Sequence, residues 1–292
     1  MFFGEKDPRY FQIAFLGSLL LYGIFRLDFS ISLLTIVAVL MVSFAVQFAG
    51  IVFFHLPLSS FLSAAISGLS LLLLLRAQAL SLMCLAAALS IASKFVFRFS
   101  GKHFFNPTNF GICVMLLISD RVWVSPGQWG EQSLLVFWIL ATGAAVVYSA
   151  KRYDISFAFL GAYFFLLLSR VLYLGQPLTV LFHQMQSGAL LIFTFFMISD
   201  PRSTPNHWLG RLAFSIAVAV TAHYFRFSYF NPRAILWALF LLSPITIILD
   251  SLWKYRRYEW RERYDTPSYG PLVSFLFDKF RPRFLWLLRC ES

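Results

Sequence analysis

Residues 186–201 read QSGALLIFTFFMISDP, an apolar run that begins after a Ser-Gly step and ends at a charged Asp-Pro step. The whole chain has the same character, because 59% of its residues are hydrophobic, only 13% are charged and the mean hydropathy is +0.74. No soluble core needs so much apolar surface. Inside a bilayer every backbone N–H and C=O must be bonded within the protein, which favours helices. We therefore predict an all-α polytopic membrane protein.

Apolar runs recur along residues 1–253, which we predict to form one transmembrane domain. Each membrane span needs about 20 apolar residues. The runs predict about ten spans: 11–27, 31–54, 57–75, 78–97, 108–119, 133–149, 155–174, 184–199, 209–226 and 235–253. Residues 254–292 form a basic, aromatic tail, which is typical of a segment that binds anionic lipid headgroups. A helix that binds a partner protein is the alternative for this tail.

The distribution of Lys and Arg predicts that both termini are cytoplasmic, because these residues are retained on that side during insertion. The net charge of +11 then reflects this asymmetry and the tail, so nucleic acid is not predicted as a partner. The predicted cytoplasmic residues are Lys6, Arg9, Lys94, Arg98, Lys102, Lys151, Arg152, Arg202, Arg211 and those of the tail. The predicted opposite group is Arg26, Arg76, Arg121, Arg170, Arg226 and Arg233.

Two short patterns occur twice. Ser67-Gly68 recurs as Ser187-Gly188, a spacing of 120 (187 minus 67), and Phe105-Asn106-Pro107 recurs as Phe230-Asn231-Pro232, a spacing of 125 (232 minus 107). Elements five spans apart face opposite ways, so the pattern predicts two inverted repeats with Gly- or Pro-interrupted segments at the binding site. Small residues that let helices pack closely, matched by chance, are the alternative.

The segment Lys102–Gly111 is a second candidate for the site. Asn106 is held out of the helical region by Pro107, which can itself begin a helix. The free N–H groups of that helix start, beside Lys102 and His103, would suit a phosphate or another anion. We assign Lys102, His103, Asn106, Pro107, Thr108, Asn109, Ser67, Gly68, Ser187 and Gly188 to cofactor binding. An ordinary capped helix start is the alternative.

Asp120 and Asp200 each follow an Ile-Ser pair at the end of a predicted span. A carboxylate close to hydrocarbon suggests a path for a cation or a proton. We predict both as ion-path residues on opposite faces, although ordinary loop placement also explains Asp120. No metal site is predicted, because Cys84, Cys113 and Cys290 form no C-x-x-C pair. A buried cysteine is most often a small apolar side chain.

Two segments, 102–111 and 186–205, resemble the NqrB/RnfD family, the membrane subunits of the sodium-pumping NADH:quinone oxidoreductase and of Rnf complexes. The resemblance implies ten helices in two inverted halves and a multi-pass protein of the bacterial inner membrane. It also implies a role in sodium uptake for an acidic residue at the position of Asp200. Implied partners are membrane lipids, other membrane or redox subunits, and quinone.

The chain departs from this family at one decisive position. NqrB and RnfD attach FMN through a phosphoester to the last Thr of a Ser/Thr-Gly-Ala-Thr motif. The nearest segments here are Thr142-Gly143-Ala144-Ala145 and Ser187-Gly188-Ala189-Leu190, and neither ends in a hydroxyl. The resemblance therefore implies FMN or riboflavin held without a covalent bond. It also suggests a divergent stand-alone branch that includes NqrB-like proteins encoded with enediyne biosynthesis genes.

Two functions follow as expectations. The first is an electron-transport subunit that uses a flavin or quinone, with coupled cation transport, and that needs partners for any oxidoreductase activity. The second is an ion or small-molecule transporter that uses the same inverted repeats without a redox cofactor. An assembly subunit would show neither property. The sequence has no soluble catalytic motif that would distinguish them.

Overall fold

The computed structural model describes residues 7–27, 29, 31–125 and 133–258. Residues 259–292, which include most of the predicted tail and Cys290, lie outside this part, as does Lys6. The described chain is mostly helical. Its helices are α1 (Pro8–Arg26), α2 (Leu33–Phe54), α3 (Ser60–Leu74), α4 (Leu80–Val96), α5 (Pro107–Ile118), α6 (Ser133–Ser149), α7 (Tyr153–Tyr173), α8 (Leu178–Met185), α9 (Gly188–Ile192), α10 (Trp208–Ser228), α11 (Ala234–Leu242) and α12 (Ile245–Leu252).

Nine of the ten predicted spans coincide with one helix or with a bent helix pair, whereas the predicted span 184–199 begins too late and misses most of α8, which starts at Leu178. By length and composition, α2 and α7 can cross a membrane, and the number rises to four if each bent pair is one span. Helices α3, α4 and α5 are shorter, with 15, 17 and 12 residues. Ten crossings therefore stay a prediction, while a mostly helical membrane protein is confirmed.

Two predicted spans are broken. Helix α8 makes an angle of 52° with the continuous helix Gly188–Met197, which consists of α9 and the π-helical turn Phe193–Met197. The break lies at Gln186 and Ser187, where Ser187 has an extended ψ of 120°. Helices α11 and α12 meet at 50°, with Pro244 at the junction. Proline has no N–H for the helical ladder, which explains this second bend.

Four short strands form two antiparallel pairs. Strand β1 (Leu75–Ala77) pairs antiparallel with β4 (Val122–Val124), and β2 (Arg98–Phe99) pairs with β3 (Lys102–His103). The second pair is closed by Ser100 and Gly101, whose φ angles are +49° and +75°. Two consecutive residues with positive φ are typical of the tight turns that close hairpins. This turn directs Lys102 and His103 into the protein, where both are buried.

The basic residues lie at two opposite ends of the helix bundle. At one end, which we call the charged end, Arg9 donates to the carbonyl of Ser59 at 3.1 Å and Arg211 pairs with Asp154. At the opposite end Arg76 lies over the ring of Phe29, and Gln78 N–H donates to the carbonyl of Arg121. Each of these contacts therefore joins two segments that the sequence predicts to lie on the same side of the membrane.

Helices α7 and α10 connect the two ends. Their first turns are joined by Arg211 and Asp154, and their last turns by Arg170, whose guanidinium lies 4.1 Å from the ring centroid of Phe227. Large apolar side chains elsewhere point outward, among them Phe25 (77% exposed) and Phe137 (69%). An apolar exterior of this kind suits a lipid environment. We call residues 7–125 the first half and residues 133–258 the second half.

Candidate functional site

The start of α5 is capped by its own first residues. Asn106 Oδ1 accepts a hydrogen bond from the N–H of Asn109 at 3.0 Å, and Pro107 occupies the first helical position. This is a regular N-cap, which satisfies one of the free donors. The Asn106 side chain also donates from Nδ2 to the carbonyl of Met197 at 3.2 Å. The residue therefore joins the two halves of the chain.

The neighbouring predicted residues also hold helices together. Thr108 Oγ1 donates to the carbonyl of Ser67 at 3.3 Å, and Asn109 Nδ2 donates to the carbonyl of Leu236 at 3.1 Å. Gly68 lies against α2, where an added Cβ would come within 3.0 Å of Leu40 and 3.2 Å of Ser43. Gly68 thus allows close helix packing.

Lys102 and His103 face carboxylates from the second half. Lys102 Nζ lies 2.7 Å from Asp250 Oδ2 and also donates to the carbonyl of Thr204. Burial lowers the pKa of Lys102, and the bond to Asp250 offsets only part of that shift. His103 Nε2 lies 3.7 Å from Asp200 Oδ2. Burial lowers the pKa of His103 despite this carboxylate, which favours a neutral imidazole at pH 7.

The Asp200 side chain accepts hydrogen bonds from the turn that directly follows it. Its carboxylate accepts from the N–H of Arg202 and from the hydroxyl of Ser203, each at 3.1 Å. Burial alone would raise the pKa of Asp200, but His103 and these hydrogen bonds bring it below its ordinary value, so the group is ionised. Asp120 is exposed and follows the far end of α5, beyond Ser119. The two predicted ion-path residues therefore lie apart.

A small polar cavity of about 40 Å³ lies near Asp200. It has room for a water molecule or an ion of that size, because a single water needs roughly 10–15 Å³ by this measure. Residues of both halves line this cavity, and they include a cation, Arg9, and an anion, Asp200. The polar lining includes Arg9, Gln12, Ser67, Asn106, Thr108, Ser199 and Asp200.

A large cavity of about 750 Å³ lies between the halves towards the opposite end. This volume is within the range of pockets that enclose cofactors and drug-sized ligands, roughly 300–1,000 Å³. The first half contributes Leu74, Trp123, Val124 and Ser125. The second half contributes, among others, Tyr163, Ser187, Ala189, Leu190, Met197, Arg226, Phe230, Asn231, Arg233 and Leu236.

Six of the ten predicted cofactor residues lie at these two cavities, whereas Lys102, His103, Asn109 and Gly68 line neither of them. Ser67, Asn106, Pro107 and Thr108 line the small cavity, whereas Ser187 lines the large one and Gly188 is buried beside it. The polar residues Tyr163, Arg226 and Arg233 were not predicted. A usable signal existed, because Arg226 and Arg233 flank the second Phe-Asn-Pro step, at Phe230–Pro232.

The two cavities are close to each other. Asn106 lines the small cavity and Met197 lines the large one, and the hydrogen bond from Asn106 Nδ2 to the Met197 carbonyl joins them directly. At this point only the Asn106 side chain and the Met197 backbone separate the two cavities.

Among the described residues, no group of three or more His, Cys, Asp or Glu could hold a metal ion.

Residues 117–259 match the model of the NQR2, RnfD, RnfE family. This part of the chain is similar to that family. The resemblance predicted from the sequence is thereby confirmed. The matched region contains the run at 186–201 and the second-half wall of the large cavity, whereas Lys102–Gly111 lies before it. No curated protein matches the chain. The family comprises membrane subunits of Nqr- and Rnf-type complexes, and the similarity supports a membrane protein related to electron transport.

Proposed function

We propose that the large cavity binds FMN or riboflavin without a covalent bond, and that the protein is an electron-transport subunit acting between a redox partner and membrane quinone. One observation carries the proposal: the 750 Å³ cavity is built around Ser187, Ala189 and Leu190. Of the two segments nearest to the family's FMN-attachment motif, Ser187–Leu190 is the one that lines this cavity, and it ends in leucine where the family has the FMN-bearing Thr. An alkyl side chain cannot form the phosphoester, yet the cavity beside it remains.

The lining residues fit an anionic, aromatic ligand. Arg226 and Arg233 bring two guanidinium groups to the cavity, and arginine is well suited to bidentate phosphate recognition. Trp123 and Phe230 offer aromatic surface for a planar ring. The Tyr163 hydroxyl is buried beside the Arg226 guanidinium. Because a guanidinium can only donate, the Tyr163 O–H can still donate to a ligand oxygen or nitrogen.

A bound flavin would supply the electron transfer, which these side chains cannot perform. The protein's own contribution is to bind and orient. Arg226 and Arg233 stabilise negative charge, and Leu74, Leu190 and Leu236 exclude water from the cavity. With partner subunits bound, the same protein would connect a soluble donor to the membrane.

Titration of the purified protein with FMN and with riboflavin, followed by quenching of flavin fluorescence, tests this site. Ala189→Trp should obstruct the cavity beside Leu190 and strongly weaken binding of both flavins. Arg233→Gln should weaken FMN about tenfold more than riboflavin, because one charge-assisted contact to phosphate is worth roughly 1.5–3 kcal/mol. Ser67→Ala, in the small cavity, is the matched control and should bind both normally. Failure of the wild-type protein to bind either flavin would refute the proposal.

A second candidate is transport of a small ion or polar solute. It is favoured by the thin layer between the cavities, where Asn106 meets Met197. It is also favoured by the packing of α5 on α11, the fifth and tenth predicted spans, since inverted repeats meet at the substrate site. Uptake of radioactive sodium into flavin-free proteoliposomes tests it. Uptake should fall sharply in Asp200→Asn, and a rate equal to that of empty liposomes would rule the candidate out for sodium.

A further inference from the structure

Arginines from both halves of the chain lie together at the charged end, around the turn that closes the β2–β3 pair. Arg98 Nη2 donates to the carbonyl of Gly101 at 3.0 Å, and Arg257 Nη1 donates to the carbonyl of Ser100 at 3.4 Å. A Cβ at Gly101 would come within 2.5 Å of the same Arg257 nitrogen, so this guanidinium lies directly against the turn. Two consecutive carbonyls of one turn therefore hold two guanidiniums, one from each half.

Arg202 joins this pair from the turn after Asp200. Arg98 is the cross-strand partner of His103, whose Nε2 lies 3.7 Å from Asp200 Oδ2. The N–H of Arg202 donates to the other oxygen of this carboxylate at 3.1 Å. Burial and then the charge of Arg257 lower the pKa of Arg98, and burial, Arg257 and Arg98 lower the pKa of Arg202. The three guanidiniums are thus close enough to repel one another.

We call Arg98, Arg202 and Arg257 the arginine cluster. Asp200 partly offsets its charge, but the Asp200 oxygens already accept from the Arg202 N–H and the Ser203 hydroxyl. Within the described residues, no side chain or carbonyl accepts a hydrogen bond from the Arg202 guanidinium. Arg98 and Arg202 are half-buried and Arg257 is exposed, so the cluster opens on the protein surface. A phosphate there would offset the repulsion and accept paired N–H···O bonds.

The surface beside the arginine cluster is apolar. Arg98 comes directly after the end of α4, and the nearby Val96 and Phe99 are 70% and 51% exposed. Phe95 stacks on Phe54 of α2 at a centroid distance of 5.4 Å, and Phe54 is itself 41% exposed. Both helices are predicted spans, so the cluster lies where a predicted span meets the lipid headgroups. Exposed apolar side chains next to clustered positive charge are typical of a surface that binds anionic lipid.

We propose that the arginine cluster binds the phosphate group of an anionic phospholipid in the membrane leaflet at the charged end. The guanidiniums hold the phosphate, while Val96 and Phe99 contact an acyl chain. One lipid molecule then joins the β2–β3 turn, the turn after Asp200 and the start of the basic tail. Neither a flavin nor ion transport is needed for this site, since no residue of the cluster lines the large or the small cavity.

Native mass spectrometry of the detergent-purified protein tests the site. Dioleoyl phosphatidylglycerol is the anionic probe. Dioleoyl phosphatidylcholine, which has the same acyl chains and a phosphate but also a choline cation, is the comparison. The unmodified protein should retain phosphatidylglycerol at about tenfold lower lipid concentration, because the arginines repel the choline cation. Equal retention of the two lipids would overturn the proposal.

A pair of double variants separates a discrete site from general attraction by positive charge. Arg98→Gln with Arg202→Gln should weaken retention of phosphatidylglycerol about tenfold or more, because two of the three guanidiniums are lost. Lys151→Gln with Lys254→Gln is the matched control, since both lysines are exposed and the same net charge is removed. This control should retain the lipid as the unmodified protein does. Equal losses in the two double variants would show that only total charge matters and would overturn the site.

Two measurements on the unmodified protein do not depend on how the variants fold. Inorganic phosphate has the anionic group without acyl chains, so only a large excess of it should displace phosphatidylglycerol. Displacement at the same concentration as added phosphatidylglycerol would identify free phosphate as the ligand and overturn the lipid. Phosphatidylglycerol with a photoreactive headgroup should crosslink to peptides that contain Arg98 or Arg202. Crosslinks confined to other parts of the chain would also overturn the proposal.

Discussion

At the residue scale, Asn106 shows how one side chain can cap a helix and also join two distant segments of the chain. The Phe-Asn-Pro step indicated either an anion site or a capped helix start, and the Asn106 carboxamide oxygen does cap α5. Its Nδ2 group, however, donates to Met197 in the other half, 91 positions along the chain. The local pattern predicts the first contact because capping depends on neighbours. It cannot predict the second, which depends on how distant helices pack.

Asn106→Ala should therefore lower the stability of the protein in detergent by about 1–2 kcal/mol, because it removes both the cap and the bond to Met197. Asn106→Ser keeps a capping oxygen without burying a charge and should cost less. Thermal unfolding of the two variants against the unmodified protein measures the difference. Equal melting temperatures for Asn106→Ala and the unmodified protein would show that neither contact matters.

The His103–Asp200 contact makes a prediction about pH. Burial lowers the pKa of His103, and the Asp200 carboxylate partly offsets this by favouring the protonated ring. Asp200→Asn removes that offset, so the pKa of His103 should fall further and the imidazole should stay neutral to a lower pH. NMR titration of the five histidines, with His103→Gln to assign the signal, measures the shift. An unchanged or higher pKa would contradict the 3.7 Å contact.

At the element scale, the π-helical turn depends on a glycine in another helix. A Cβ at Gly143 of α6 would come within 2.7 Å of Phe195 Cγ and 2.9 Å of Phe195 Cβ, atoms that cannot easily move aside. Gly161 of α7 has nothing within 4 Å. Gly143→Ala should thus destabilise the protein by about 1–3 kcal/mol through overpacking. Gly161→Ala should be neutral or stabilising by up to about 1 kcal/mol. Thermal unfolding checks both, and equal effects would refute this packing.

Some helices and strands could be predicted from the sequence, and others could not. Apolar runs located the helical stretches, since continuous hydrophobicity is a local property. The breaks at Ser187 and Pro244 carried visible Ser-Gly and Pro signals. The β2–β3 hairpin was missed, because Ser100 adopts a positive φ that only its packing explains and the strands have two residues each. Without that hairpin, the burial of Lys102 could not be predicted.

At the scale of the whole molecule, the cavities form where distant segments meet, and no local pattern predicts which segments meet. Trp123 and Arg233 lie in different halves yet line the same cavity. The similarity of residues 117–259 to the NQR2, RnfD, RnfE family could be predicted from motifs, and the comparison confirms it. The ten crossings, the inverted repeat and the bound flavin stay predictions.

The absorption spectrum of the detergent-purified protein, followed by acid precipitation, tests the central claim most directly. A flavin held in the large cavity without a covalent bond should give visible absorption bands and should pass into the supernatant when the protein is precipitated. Flavin that stays in the pellet would contradict the inference from Leu190 that no phosphoester forms. A colourless protein that also fails to take up added FMN or riboflavin would contradict the proposed function itself.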